Sequence, residues 1–295
     1  MQAFAAIAHE IAALTGVTCA SAPEGRVAGG SINTCYRWPA AGGMMFVKVA
    51  ARSAEAAFAA EAAGLAELDA ARAVRVPRVR ASGHTDTAAF LALEWIEAGT
   101  ADRDCEQRLG EGLAALHAVT AERYGWSRDN TIGHTPQANG WMGDWMGFFR
   151  ERRLRPQLEL AVHNGFAGLL GAYGEQLLEQ LPALLAGHQP PASLLHGDLW
   201  GGNWLASATG EPVIFDPAVY FGDRETDIAM TRLFGGFGDS FYRAYEAAAA
   251  LPAEARLRAE LYNLYHVLNH ANLFAGGYPR QARAIMEHLL AQSRG

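Results

Sequence analysis

Cysteine is scarce in this chain. Cys19, Cys35 and Cys105 are its three cysteines, widely spaced, with no CxxC pair and no histidine nearby. That pattern excludes a disulfide scaffold and a zinc ribbon, and it sets the expectation of a reducing, cytoplasmic setting. Basic blocks are missing too: 31 acidic residues outweigh 24 basic ones for a formal charge of -7, which argues against a nucleic-acid footprint. No uninterrupted apolar stretch approaches the roughly 20 residues that a bilayer requires. The N-terminus lacks the basic start and apolar run of a signal peptide; Phe4, Ile7, Ile11 and Leu14 recur at helical spacing instead. Neither an internal repeat nor a low-complexity tail is present. What remains is an ordinary globular composition, 295 residues with 50% hydrophobic and 19% charged, enough for one large domain or two lobes. The expectation is a soluble protein that acts on a small molecule, with no membrane or nucleic-acid partner.

Along the chain, turn formers (Gly25, Gly29-Gly30, Pro39, Gly42-Gly43) alternate with short β-prone runs such as Met45-Phe46-Val47-Lys48-Val49, which predicts antiparallel hairpins. Ser53 is the expected cap of an alanine-rich helix to about Ala73, with Phe58, Leu65 and Leu68 on one face and Glu61 near its middle. Val79 to His84 and Ala89 to Trp95 read as two more strands. Residues 1–96 are thus an expected β-rich lobe with one long helix, 97–101 a hinge, and 102–295 an α-rich lobe. Helical periodicity in that second part covers Leu109 to His117, Leu158 to Leu181 ending at Pro182, Ile228 to Phe234, Leu257 to Phe274, and a last helix to about Leu290. Ser193-Leu194-Leu195 and Val213-Ile214-Phe215 are the exceptions, two short strands expected to flank a polar loop. The fold class is α+β.

That loop carries the chemistry. Leu195-His196-Gly197-Asp198-Leu199-Trp200-Gly201-Gly202-Asn203 is followed thirteen residues later by Asp216, inside Phe215-Asp216-Pro217. An Asp that accepts a hydroxyl proton, an Asn five residues on, and a second Asp after a short apolar strand are the polar parts of a kinase-type phosphoryl-transfer site. Asp198 is the expected catalytic residue, and Asn203 and Asp216 the expected Mg2+ ligands, because magnesium takes hard oxygen donors and completes its shell with water and ATP phosphates. Upstream, the Gly29-Gly30-Ser31 turn leaves backbone N–H groups free for phosphate oxygens, a weak signal alone. Lys48, stranded inside an apolar strand, needs a partner, and Glu61 is the obvious one; a surface edge lysine is the alternative. Glu94 and Ile96, where the last strand meets the hinge, are the expected nucleotide contacts there. His196 is expected to support the loop. Asp227, at a predicted helix start, either braces the loop through its backbone N–H groups or simply caps the helix. Asp223 and Arg224 either line the acceptor pocket or form surface ion pairs. Cys35 has two readings, a redox-sensitive thiol or a small buried hydrophobe.

On these residues the chain resembles the fructosamine kinase (ketosamine-3-kinase) family, a branch of the aminoglycoside phosphotransferase and choline kinase superfamily. The superfamily signal is HGD-x4-N with a following Asp. The narrower signal is Leu195 to Asn203, Asp216-Pro217-Ala218-Val219-Tyr220, Gly222-Asp223-Arg224-Glu225, Phe234-Gly235-Gly236-Phe237 and the Asn130-Thr131-Ile132-Gly133 to Gln137-Ala138-Asn139 segment. The resemblance implies a bilobal protein-kinase-like fold and transfer of the ATP γ-phosphate, with Mg2+, to the sugar 3-hydroxyl of a free or protein-bound ketosamine. That reaction labilises the adduct and is a deglycation repair. It also gives Asn130, Gln137 and Asn139 an expected role as sugar-binding amides, and Trp200, Trp141 and Trp145 as packing surfaces for sugar or amine carrier. Some members carry a cysteine where this chain has Ser31, so redox regulation does not transfer. A monomer or weak homodimer is expected. Two rivals stand beside this reading: another hydroxyl-compound kinase acting on aminoglycosides or choline, and a catalytically dead kinase-fold scaffold.

Overall fold

The structure is a computed structural model that describes residues 2–27 and 33–292. Its N-terminal part is built on a five-stranded sheet, every neighbouring pair antiparallel, in the order β1 (Gly25–Val27), β2 (Thr34–Ala40), β3 (Gly43–Ala51), β5 (Ala88–Glu94), β4 (Val79–His84). Side chains alternate faces along a strand, and that alternation decides what each helix covers. Met45, Val47, Val49, Phe90 and Ala92 face Ile7 and Ile11 of α1 (Gln2–Thr15), together with Tyr36 and Trp38. Ala89, Leu91 and Leu93 face Phe58, Leu65 and Leu68 of α2 (Glu55–Ala71). Lys48, between Val47 and Val49, is therefore turned to the α2 side. The expected start at Ser53 is not used: Arg52–Ala54 forms a 3-10 turn and α2 begins at Glu55 with no side-chain cap. β3 runs to Ala51, and those three residues carry the chain off the sheet.

After the sheet, α3 (Arg103–His117) starts at Asp102, whose carboxylate accepts from the Cys105 N–H at 2.7 Å. β6 (Thr120–Ala121) leads to a small hairpin, β7 (Asn130–Ile132) and β8 (Thr135–Gln137). The helix expected over Leu158 to Leu181 is part of a longer, interrupted stretch: α4 (Trp145–Phe149), a π-helical turn Arg150–Leu154, α5 (Arg155–Ala161), a second π-helical segment and α6 (Ala172–Leu184). Gly165 breaks the helical backbone with φ +91, and Pro182 sits inside the last turn rather than ending it. Apolar periodicity continues across such breaks, so it does not reveal them.

The two strands expected beside the polar loop belong to different sheets. β9 (Ala192–Leu195) lies between β6 and β12 (Tyr220–Gly222), whereas β10 (Trp204–Ala206) pairs with β11 (Pro212–Ile214). Helices α7 (Glu225–Leu233), α8 (Asp239–Ala248), α9 (Ala255–Phe274) and α10 (Tyr278–Gln292) complete the chain; α8 is absent from the periodicity reading. A single apolar core runs from the α2 face of the sheet into the helical part, with Trp145, Phe148 and Phe149 buried in it. Among the described residues no helix is long and apolar enough to cross a membrane.

Candidate active site

Three elements converge on Lys48. Its Nζ lies 2.7 Å from Glu61 Oε1 on α2 and 2.6 Å from Asp216 Oδ1 beyond β11. It is also the only lysine in the chain. Burial alone would lower its pKa, but the Asp216 and Glu61 carboxylates outweigh burial and hold it raised, so the ammonium stays charged. The Glu61 pKa is raised as well, chiefly by burial. α2 reaches this position because of Gly64, where a Cβ would already stand 3.2 Å from the Val219 side chain. Asp216 itself adopts φ +58, a left-handed conformation that Asp tolerates better than most residues but that still costs about 1 kcal/mol.

The Leu195–Asn203 loop is fixed from behind. Asp227, in the first turn of α7 and fully buried, accepts from the backbone N–H groups of His196 (2.8 Å) and Gly197 (2.9 Å) and from His117 Nε2 (3.2 Å). Burial would raise its pKa, yet the bond with His117 and these N–H groups hold it low. Gly197 has φ +83, and a Cβ there would sit 2.1 Å from the Ala218 carbonyl oxygen, so no other residue fits without moving the Asp216–Ala218 segment. His196 joins the two segments through Nε2 to the Phe215 carbonyl (2.9 Å), and burial lowers its pKa, leaving a neutral ring. His117 ends α3 and was legible in sequence only as part of a helix face; nothing there pointed to Asp227.

Asp198 opens on a cavity lined also by Lys48, Glu61, Asn130, Trp200, Asn203 and Asp216. Its carboxyl is pushed up to about 7, first by burial and then by the Asp216 carboxylate, while the Asn203 amide pulls it back. The Asn203 amide N–H2 donates to the Asp198 carbonyl at 2.8 Å and to Oδ2 at 3.3 Å. Its Oδ1 accepts no hydrogen bond among the described residues. An amide oxygen and a carboxylate facing one cavity are the hard donors a magnesium ion takes, so the residues present fit that ion.

A second cavity adjoins the first, between the sheet and β10, lined by Val27, Phe46, Leu93, Ile96, Leu205 and Phe215. Its lining is mainly apolar. Glu97 O and Gly99 N are tied to Ala208 and Ala206, whereas the Ile96 peptide group makes no hydrogen bond among the described residues and remains available. Glu94 borders this cavity but its carboxylate turns away, accepting from Arg75 (2.8 Å) and the Arg78 N–H (3.2 Å). Gly29, Gly30 and Ser31 lie outside the described residues. Cys35 borders both cavities, and burial pushes its thiol up to about 11.

Several residues expected at the acceptor are placed elsewhere. Asp223 is buried and accepts from Tyr262 and His188, each at 2.6 Å; Arg224 donates to the carbonyls of Ala249 and Ala250 at the end of α8. Neither lines the cavities described above. Gln137 and Asn139 are fully buried with their amides committed to protein partners, and only Asn130 of the three borders the cavity. Trp145 is core, donating to Tyr262 at 3.0 Å. Trp141 packs on Phe221, centroids 6.0 Å apart. Trp200 alone among these tryptophans combines exposure with a place on the cavity wall.

Comparison with known proteins decides the family. The profile of the fructosamine kinase family matches residues 3–292. The chain belongs to the fructosamine kinase family. A probable ketoamine kinase of Synechocystis sp. is 42% identical over 96% of this chain and 96% of its own, and a chloroplastic protein-ribulosamine 3-kinase of Arabidopsis thaliana is 38% identical over 90% of this chain and 82% of its own. A crystal structure carrying the fructosamine-3-kinase name, from Thermobifida fusca, superposes with TM-score 0.84 at 32% identity over 97% of this chain and 99% of that one. An aminoglycoside phosphotransferase crystallised with AMP-PNP and hygromycin B shares the fold, TM-score 0.61 at 15% identity over 98% and 99%. Membership in the fructosamine kinase family makes this chain a phosphotransferase acting on a hydroxyl, with the bilobal kinase-like fold that the resemblance implied.

Proposed function

We propose that the protein transfers the γ-phosphoryl group of ATP, with Mg2+, to the sugar O3 of a ketosamine such as a ribulosamine or fructosamine. The observation that carries this reading is the meeting of Lys48, Asp198, Asn203 and Asp216 at one cavity in a chain of this family. The names of its relatives support the acceptor. Lys48, held charged by Glu61, meets the α- and β-phosphates, while the apolar cavity beside Ile96 takes adenine. Asn203 Oδ1 and the Asp216 carboxylate would hold the metal, which when bound would supply positive charge to offset that of the phosphate oxygens. Asp198 accepts the proton of the attacking hydroxyl; burial has already brought its pKa near the working range. Trp200 offers an aromatic wall to the sugar or its amine carrier. All of these groups come from one chain, so a monomer suffices, and three unpaired cysteines suit a reducing compartment.

Mg2+-dependent ADP release tests the reading against four acceptors: a ribulosamine, a fructosamine, choline and an aminoglycoside. Preference for a ketosamine supports it. Turnover with choline or the aminoglycoside alone retains the phosphotransferase and overturns the acceptor.

A further inference from the structure

Arg153 is fully buried, yet no carboxylate pairs with it among the described residues. It projects from the π-helical turn Arg150–Leu154, and such wide turns re-aim side chains and cluster at functional sites. Aromatic faces surround its charge, with Tyr220 at 4.0 Å and Phe148 at 4.6 Å from the guanidinium carbon. One terminal nitrogen donates to the Ala138 carbonyl (2.8 Å) and the Arg152 carbonyl (2.9 Å); the other donates to Asn139 Oδ1 at 2.7 Å. Nε has no partner.

The bond to Asn139 has a directional consequence. A guanidinium only donates, so Asn139 must turn its oxygen toward Arg153 and its NH2 away, onto Asn130 Oδ1 at 2.9 Å. Asn130 must then present its own NH2 to the Val219 carbonyl, which it does at 2.9 Å. Gln137 runs the same way, donating to Asn130 Oδ1 (2.8 Å) and the Ala218 carbonyl (3.2 Å), with its oxygen held by Tyr265 at 2.6 Å. A flipped Asn130 would set oxygen against the Val219 carbonyl oxygen. One fixed cation thus sets the sense of three buried amides, and the ladder ends on the two carbonyls that directly follow Asp216-Pro217.

We propose that Arg153 is a positioning residue: through Asn139, Asn130 and Gln137 it fixes the Asp216–Val219 segment and so aims the Asp216 carboxylate into the cavity. The inference rests on the reading of Asp216 as a metal ligand. Outer hydrogen-bond partners of metal ligands typically govern 10–100-fold of affinity or activity.

The test compares Arg153→Met, Arg153→Lys and Asn139→Asp with the wild type. It uses two readouts: the melting-temperature shift caused by ADP alone and by Mg·ADP, and kcat with ATP and the preferred acceptor. The proposal expects the ADP-alone shift to be unchanged in every variant. It expects the magnesium-dependent increment to shrink, and kcat to fall roughly 10–100-fold, in Arg153→Met and Asn139→Asp. Arg153→Lys, whose ammonium also only donates, keeps most of both. Asn139→Asp preserves size and the bond to Arg153 while removing the donor to Asn130, so it decides the matter if Arg153→Met does not fold. A native magnesium increment and kcat in either folded variant overturns the proposal, as does a wild type with no magnesium increment. So does an Arg153→Lys variant that loses as much as Arg153→Met. If ketosamines are not substrates but the increments behave as stated, the ladder stands and only the acceptor reading falls.

Discussion

Replacing Asp198 with asparagine separates two consequences of burying a carboxylate in the catalytic loop. The carboxyl is pushed from 3.8 up to about 7 in the folded chain, by burial first and by Asp216 second. That rise corresponds to a ceiling of about 4 kcal/mol. Solvent in the cavity screens the group, so about 2 kcal/mol is the working figure. The sign follows from proton uptake. Between about pH 4 and pH 7 the folded state keeps a proton that the unfolded chain has released, so stability falls with rising pH across that window. The burden is absent below about pH 4 and complete above about pH 7. Asparagine carries no charge and removes it. Without nucleotide, Asp198→Asn should therefore melt about 4 °C above the wild type at pH 8, taking roughly 2 °C per kcal/mol for a chain of this size, and the gain should fade toward pH 4. Turnover should fall by about 10²–10⁴, because the hydroxyl proton has lost its acceptor. Scanning calorimetry across pH, with ADP release at each point, reads both. A stability difference that is flat with pH, or turnover within fivefold of wild type, refutes the reasoning.

Other consequences are equally direct. The acid limb of kcat/KM for the wild type should lie near pH 7, since that quantity reports the free enzyme, whereas the kcat limb should lie lower because a cation at Asp216 offsets that carboxylate; coincident limbs in a full pH–rate profile would contradict the assignment. Lys48 is the only lysine, so an acyl-phosphate derivative of ATP should label one side-chain amine, with ATP protecting it; peptide mapping that finds no label at Lys48 would count against its phosphate role. With its thiol pushed up to about 11, Cys35 should resist iodoacetamide at pH 7.5 over hours in native mass spectrometry, and Cys35→Ser should keep most activity. Asp227→Asn should cost about 1–3 kcal/mol in denaturant unfolding and lower kcat, because the amide NH2 would replace one of the two accepting oxygens and face the N–H of either His196 or Gly197. Asp223→Asn should lower the melting temperature with little change in acceptor KM; a large, selective KM change would return Asp223 to the acceptor site.

The residues that meet at the first cavity were more legible in the sequence than the scaffold around them. Asp198, Asn203 and Asp216 are close in the chain, and a lysine inside an apolar strand with a glutamate on the next helix is a short-range pattern, so order and spacing were enough to bring Lys48 and Glu61 into the same reading. The acceptor side was not, because amide and charged residues look alike whether they face a cavity or close a buried network. Gln137, Asn139, Asp223 and Arg224 are polar for internal reasons, satisfied by protein partners, some of them far away in sequence, as with Gln137 and Tyr265 or Asp223 and Tyr262. Arg153 was invisible for the same reason: in the run Arg150 to Arg155 it is one of four arginines, and only the π-helical turn turns it inward. Strand pairing was the other gap. Short apolar runs at Ser193 and Val213 announce strands but not partners, and the structure gives them to different sheets.

Phosphorus and carbon NMR of the product formed from a ribulosamine, ATP and Mg2+ tests the central claim most directly. The account predicts one phosphate ester on the sugar O3, formed in step with ADP, followed by release of the free amine. Phosphate appearing only as inorganic phosphate, or an ester formed only on choline or an aminoglycoside offered in the same mixture, would contradict it.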